Sequence, residues 1–566
     1  MERTTVSEAF EAFRQGDYAT AIHYYRQASA AIGSDFFRAN IDICRARYFR
    51  AKACSLDEKD CQDLVASASG QPKNSDYFRV ALIADEFTTN SFENEFQAVS
   101  IEPSNWREKF EEWKPDIFFC ESAWSGPDPK VRPWKGKIYA SENFSKENRT
   151  TLLEILDYCR KTGIPTVFWN KEDPTHHSDR IHDFVKTAKE FDFVFTTAEE
   201  CIDSYKREYG IKNAFVLPFA TNPRLFNPVE TCDRSSRVVF AGSWYANHVD
   251  RCRDMERILD SIQDEGFELD IYDRYHGDTD PLHVWPEKYQ TYLRPAKPHD
   301  QMPAVYKSSR FGLNINTVTN SPTMFARRVF ELMSCNTLVL SNHALGTERM
   351  FGDLIVYPER ERGRLRSLTS SEVEDLRARA LAKVLSEHTY RHRWNAVLQN
   401  IGVPHRPRQE TITVVAMVHQ QDDALAALAW FQQFGGRLPG GRLLLVAGRE
   451  MEGLAVADIY RRFNRFGVTV TSASHATRYA MLDRYKPVET THFLVLDLKA
   501  PPSAQWLAHA RLHLQYWTGY PIAPSQDQSQ QYRFGRVAPQ STLIDRQCAF
   551  GNWLEEYSNS RNVYFV

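Results

Sequence analysis

The sequence predicts an α/β protein: doubly wound domains in tandem, with a small helical region before them and a further α/β unit after them. Three observations carry this. Apolar runs of strand length alternate with amphipathic stretches of helix length. The alternation stops and restarts near residue 233 and again near residue 410. The first 70 residues lack such runs and instead space apolar side chains at three- and four-residue steps. A chain of 566 residues has room for three or four domains.

Composition narrows the function classes. Apolar residues make up 42%, charged residues 25%, and the net charge is −3, so no basic domain supports nucleic-acid binding. Ten cysteines are scattered without a Cys-x-x-Cys pair, which excludes a zinc ribbon or secreted disulfide framework and fits a reducing cytosol. The N-terminus MERTTVSEAFEAF has no apolar signal core, and no run reaches about 18 apolar residues. The expectation is a cytoplasmic protein, with the inner face of the membrane as the place for any peripheral attachment. The 12 Trp and 25 Tyr fill cores as readily as they stack on sugars.

In chain order, residues 5–70 read as helical. Gly16, Asp17, Tyr18, Ala21, Ile22, Tyr25 and Ala28 resemble one tetratricopeptide repeat, in which glycine makes the turn and the alanines allow close approach. With a single repeat visible, the expectation is a cap over 1–70 rather than a binding array. SGQPKNSD (69–76) breaks the pattern. The first α/β domain (71–232) then shows RVALIA (79–84), DIFFC (116–120), PTVFW (165–169), FVF (193–195) and AFVL (214–217), with helices at 148–161 and 178–190. The second (233–403) shows RVVFAG (237–242), FELDIY (267–272), FGLNI (311–315), TLVL (337–340) and LIVY (354–357), closed by helices at 371–386 and 388–401. A Pro-rich linker leads to the third unit (410–566), with TITVVAMV (411–418), RLLLV (442–446), VTVT (468–471) and THFLVL (491–496).

Candidate chemistry clusters at predicted strand ends, where ligands collect in such sheets. After 237–242, Gly242 lets the backbone approach a phosphate, Ser243 adds a second amide, and Arg251 with Arg253 can balance a diphosphate. The same residues also suit a plain turn. In RVFELMSC (328–335), Glu331 can accept hydrogen bonds from a ribose diol, or pair with Arg328 one helical turn away. WNKEDPTHHSD (169–179) offers Glu172, Asp173, His176 and His177 to take an acceptor proton, or to cap a helix beginning near Ser178. Adjacent histidines point apart, which argues against a metal there. Asp85 and Glu86 follow the first strand and line the acceptor side, or form a turn. Tyr272, Asp273 and the stretch 294–298 sit where a base would lie.

Several of these stretches together resemble the CgeB-like (spore-maturation type) glycosyltransferases: VALIADEF (80–87), FWNKEDP (168–174), VVFAGS (238–243), MPAVY (302–306) with GLNIN (312–316), and RVFELMSC (328–335). The resemblance covers residues 79 to about 400. It implies a GT-B fold, two Rossmann-like domains across a cleft, with a nucleotide-diphosphate sugar held mainly by the second and no need for a metal or other cofactor. Two departures stand out. Thr323 occupies the place of a first glutamate, separated from the retained one by seven residues, and Asn336 replaces a glycine. The third unit is similar to the nucleotide-binding half of a GT-A glycosyltransferase, with VVAMVH (414–419) as first strand. Its metal-motif strand FLVLDLK (493–499) has Lys499 where a second acid would bind the ion, which implies a non-catalytic domain. The expected function is sugar transfer to a glycan, lipid-linked glycan or protein acceptor in cell-surface glycan biosynthesis, with the terminal domains offering membrane or protein contacts. The alternative is a glycosyltransferase-like assembly or acceptor-binding protein without activity.

Overall fold

The computed structural model describes residues 2–32, 72–465, 467–480, 487–517, 519–537, 540–545 and 560–566, with residues 37, 40, 41, 43, 44, 550 and 554. The chain forms two compact units, Met1–Phe78 with Gly402–Arg406, and Arg79–Ile401 with Pro407–Val566.

In the first unit, helices Glu2–Arg14 and Tyr18–Ile32 pack on each other through buried Ala9, Ala21, Tyr25 and Ala28. Gly16 turns the chain between them at φ +81°, a left-handed conformation that glycine adopts without penalty. Strand β1 (Lys73–Asn74) pairs in parallel with β14 (His405–Arg406). The helical expectation over 45–70 lies outside the described residues.

The second unit contains three sheets. The first holds β2 (Arg79–Ile83), β3 (Gln97–Ser100), β4 (Ile117–Glu121), β5 (Thr166–Asn170), β6 (Phe193–Thr196) and β7 (Ala214–Val216), all parallel, in the order β3-β2-β4-β5-β6-β7. Its central strands β4 and β5 are buried along their whole length, which is why their sequences are unbroken apolar runs rather than alternating ones. The second sheet holds β8 (Ser235–Ala241), β9 (Leu269–Asp273), β10 (Leu293–Pro295), β11 (Ser309–Asn314), β12 (Leu338–Ser341) and β13 (Ile355–Val356), again all parallel, in the order β10-β9-β8-β11-β12-β13. The third sheet is mixed. Here β15 (Ile412–Val418), β16 (Arg442–Ala447), β17 (Val468–Ser472) and β18 (His492–Leu496) are parallel, and β19 (Ile522–Ala523), β20 (Phe534–Val537), β21 (Thr542–Asp545) and β22 (Arg561–Phe565) extend it beyond an antiparallel β18–β21 pairing.

A returning helix is one of the ties between the first two domains. The helix Tyr390–Asn400 follows the second domain in sequence but packs on the first. Tyr390 meets Phe92 at 4.8 Å between ring centroids and Trp394 meets Phe96 at 4.5 Å. Arg393 Nε donates to the Pro218 carbonyl at 2.8 Å. Two doubly wound parallel domains with a helix returning from the second to the first make the GT-B fold.

One helix differs from the expectation. Residues 178–183 do not continue a helix from Ser178. Asp183 caps a short helix, Phe184–Ala188, by accepting from the Lys186 amide, while its own backbone bridges to Ala140. The competing bonds to an acidic side chain delay the helix start.

Trp394 is buried at 1% exposure, so Trp394→Ala opens a cavity between return helix and first domain. The expected cost is about 3–5 kcal/mol, read as a lower urea midpoint with native far-UV dichroism. An unchanged midpoint would show that the return helix does not hold the first domain.

Candidate functional site

A cavity of about 280 Å³ opens at the carboxyl ends of β8 and β9. Its wall is built by the turn after β8 (Gly242, Ser243), the helix Val249–Asp264 (Arg251), the end of β9 (Tyr272, Arg274) and the helix Arg328–Ser334. Lys297 and His299 close one side, and Phe87 of the first domain closes another. Five cations, Arg251, Arg274, Lys297, Arg327 and Arg328, face one carboxylate, Glu331.

Local packing explains two of these positions. A side chain on residue 242 would meet the buried Phe240 ring at 2.5 Å, so glycine is required there by the sheet itself. A side chain on residue 312 would meet Leu332 at 2.4 Å, so Gly312 lets the Glu331 helix lie close on β11.

Glu331 is buried and does not pair with Arg328. Arg327 Nε lies 2.6 Å from its Oε1, across the i, i+4 spacing of the helix. Tyr306 OH donates to its Oε2 at 3.3 Å, and His299 Nε2 is 3.9 Å away. Burial pushes the Glu331 pKa up, but Arg327, His299 and Arg328 outweigh this and bring it to about 2. Arg327 in turn lies over the Phe87 ring at 4.5 Å, and His299 meets the same ring edge-on at 4.6 Å. The pair therefore aims one arginine across the domain boundary.

The other cations have no such partner. Among the described residues, no carboxylate pairs with Arg251, Arg274, Lys297 or Arg328. Arg251 Nη1 donates to the Ser243 carbonyl at 3.0 Å and its guanidinium sits over Tyr245. Arg328 lies over Phe240 and reaches Asn314 Oδ1 at 3.5 Å. Burial, and then Arg328, lower the Arg251 pKa. Two guanidiniums pressed together without a counter-charge form an anion site.

The amides expected to assist are not both free. Gly242 N donates to the Tyr272 carbonyl within the sheet at 3.1 Å, which leaves the Ser243 amide as the one of the two without a backbone partner. Ser243 Oγ is likewise used, accepting from Arg274 N at 3.1 Å.

The acceptor-side candidates divide. Asp85 is not available: its oxygens accept from the amides of Trp124, Ser125 and Gly126 and from Lys171 Nζ. It organises the loop after β4. Glu86, which opens the helix Glu86–Phe92 beside Phe87, is half-buried. Asp173 is fully buried and saturated by Asn170, His177, Thr196 and Tyr205, and His177 spends its second ring nitrogen on Ser204. Neither can reach an acceptor, because each polar atom that would take the proton is engaged inside the domain. Glu172 and His176 remain partly exposed, with His176 Nδ1 2.8 Å from Asp179. None of these four lines the arginine-rich cavity.

The same loop places ligand-type atoms close together. His176, Asp179 and His182 form one such group, and Asp173, His177 and Cys201 another. Hydrogen bonds already engage them: His176 and His182 each contact the same Asp179 oxygen, at 2.8 and 2.9 Å, and His177 contacts Asp173 at 3.1 Å.

Arg274, Lys297, His299, Tyr306, Arg327 and Phe87 were not singled out as site residues by sequence. Lys297 lies within the stretch 294–298 noted there, and Arg327 had a readable signal in its i, i+4 spacing from Glu331. The departure at Asn336 has a local cause. It adopts φ +53°, a conformation in which asparagine is the best substitute for glycine.

Residues 252–399, about a quarter of the chain, match a family described as glycosyl transferase-like. The second domain is thus a glycosyltransferase-like domain. No curated protein matches the chain. Among solved structures, an alpha-glucosyltransferase in complex with UDP and a 13-mer DNA containing a HMU base aligns with TM-score 0.43 and 9% identity, over 57% of this chain and 99% of that one. A glycosyltransferase from Rickettsia africae ESF-5 aligns with TM-score 0.36 and 10% identity, over 57% and 97%. S. aureus TarM, as a mutant with Fondaparinux, alpha-GlcNAc-glycerol and UDP, aligns with TM-score 0.32 and 8% identity, over 52% and 57%. The fold assignment rests on the sheet order and the return helix.

Glu331→Gln leaves the half-buried Arg327 without its counter-charge and is expected to destabilise the folded protein by about 3 kcal/mol at neutral pH. A carboxylate with a depressed folded pKa stabilises above its unfolded pKa and loses that contribution as pH falls. The gap between wild type and variant should therefore shrink by on the order of 3 kcal/mol between pH 4.5 and about 2. A gap that is constant with pH would show that the pair is not ionised.

Proposed function

We propose that the chain is a glycosyltransferase of the CgeB-like type that moves a sugar from a nucleoside-diphosphate sugar to a glycan, lipid-linked glycan or protein acceptor in cell-surface glycan biosynthesis. The observation that carries this is the set of unpaired cations around the Ser243 amide, at the carboxyl edge of the second sheet. Arg251 and Arg328 would hold the diphosphate and stabilise it as it leaves. Tyr272, Lys297 and His299 would border the nucleoside. Glu331 would meet the ribose through its lining oxygen while fixing Arg327.

Donor charge would be balanced by arginines rather than by a metal. The only carboxylate lining the cavity is already paired with Arg327, which leaves no acidic pair to hold a divalent ion. Glu86, Glu172 or His176 would take the acceptor proton from the first-domain side. The third domain would be non-catalytic: β18 runs into Asp497, Leu498 and Lys499, and Asp497 Oδ1 accepts from the Lys499 amide. The acceptor would not be a nucleic acid, given a net charge of −3. No helix among the described residues is long and apolar enough to cross a membrane. The protein would work in the cytoplasm, with any membrane attachment peripheral.

Calorimetric titration of the full chain with UDP-, GDP- and CMP-sugars tests this reading. One donor class should bind, and binding should persist in EDTA. Arg251→Ala and Arg328→Ala should each weaken UDP or the matching nucleotide by about ten- to a hundredfold, the scale of a lost charged hydrogen bond. A folded protein that binds no donor would favour an assembly or acceptor-binding role without catalysis.

A further inference from the structure

A second cavity, of about 480 Å³, lies at the opposite edge of the second sheet. Gly242 follows the carboxyl end of β8, whereas Arg234 precedes its amino end, so the two sites are separated by roughly 20 Å of strand. The walls come from the chain entering β8, the start of β11, the start of the helix Ser370–Glu387, and residues 528–533 of the third domain. Among the described residues, no aliphatic side chain lines it. Its surface is carboxylate, guanidinium, amide and hydroxyl, with the ring of Tyr532.

Two ion pairs form the floor. Glu230 Oε1 accepts from Arg234 Nε at 2.7 Å, and Glu374 holds Arg377 Nη1 at 2.6 Å. Two groups are left over. Glu230 Oε2, on a side chain only 7% exposed, has no hydrogen-bond partner. A buried acceptor of that kind costs free energy until a donor reaches it. Arg310 lines the cavity half-buried and pairs with no carboxylate among the described residues. Beside them, the Ser370 and Ser371 amides open an 18-residue helix, where backbone N–H groups have no partner within the helix. The cavity therefore asks for a ligand with hydroxyl donors for Glu230 and an anionic group for Arg310 and the helix start.

We propose that this cavity is a binding site for an acidic sugar, a polyhydroxylated ring carrying a carboxylate or a phosphate. Its size falls in the range of ligand pockets, about 300–1,000 Å³. Planar amide, carboxylate and guanidinium groups suit the paired hydroxyls of a sugar, and Tyr532 adds a ring. Burial lowers the Arg377 pKa to about 10, and Arg234 beside it adds to the shift. Gln528, Gln531 and Arg533 come from the third domain, so the site needs that domain to be complete. The inference goes beyond the donor reading and does not depend on it.

Titration of the full chain with D-glucuronic acid, D-glucose 6-phosphate, D-glucose and inorganic phosphate tests it, with UDP binding measured on the same samples. At least one acidic sugar should bind. Arg310→Ala, which removes an unpaired side chain, should weaken it by about tenfold or more and leave UDP binding unchanged. Gln531→Ala should weaken it to a smaller extent. Which acid binds tells a uronic acid from a sugar phosphate. The proposal is overturned if neither acidic sugar binds, if binding survives both substitutions, if D-glucose binds as tightly, or if inorganic phosphate alone does so.

Discussion

The ion pair between half-buried Arg327 and buried Glu331 is the constraint around which the cleft is arranged. A carboxylate enclosed between a helix and a sheet edge is costly unless a cation accompanies it, and Arg327 does so from the preceding helical turn. Paired in this way, Arg327 presents its planar face to Phe87 of the first domain. The interaction is weak evidence of stability in itself, because both charges had to leave water. Its consequence is positional. It neutralises one arginine of the cluster and fixes it across the domain boundary, while Arg251 and Arg328 stay charged and uncompensated. An anion completes that arrangement.

The two departures from the motif pattern that the sequence resembles are explained by what the residues touch. Thr323 Oγ donates to the Thr197 carbonyl at 2.8 Å and accepts from the Glu199 amide at 2.9 Å. An ionised glutamate accepts but cannot donate, so it would set a carboxylate against the Thr197 carbonyl. Ser321 to Glu200, and Arg349 to Glu199, extend the same seam. The hydroxyl at 323 thus belongs to a tie between the domains. Asn336 occupies a left-handed turn and offers its carbonyl to the buried Arg377. Each departure is a local solution to backbone geometry or bonding.

The central strands were legible because they are enclosed on both faces, and enclosure writes itself as a continuous apolar run. Strands such as β3, with its QAVS sequence, and the three-residue β10 were not, since their burial is mixed and their sequences leave no apolar pattern. The antiparallel half of the third sheet was missed for a similar reason: β19 is two residues long and β20 has one buried position. At the site, sequence located the turn after β8 and the helix of Glu331 because residue type and strand end coincide there. It misassigned the partner of Glu331, since Arg327 and Arg328 both satisfy helical spacing and only the rotation of the helix on β11 decides between them. In one dimension Asp85 looks like an acceptor-side residue and Asp173 like a catalytic acid. Their saturation by amides and hydroxyls depends on loops from several strands converging, which no local pattern encodes.

The third domain is bound to the second by more than a linker. One continuous apolar core runs from Val238 and Leu340 of the second sheet through Leu381 and Leu385 to Leu507 and Tyr564 of the third domain. The helix Ser370–Glu387 packs against Ala504–His513, and Gln515 Nε2 donates to the Leu385 carbonyl at 2.9 Å. That same helix packs on Arg328–Ser334, which carries Glu331. Removing the third domain would expose the outer face of a helix whose inner face supports the arginine cluster. The mechanical role holds whatever chemistry the Asp497–Lys499 strand end carries, and it is a physical reason for the third domain to be retained.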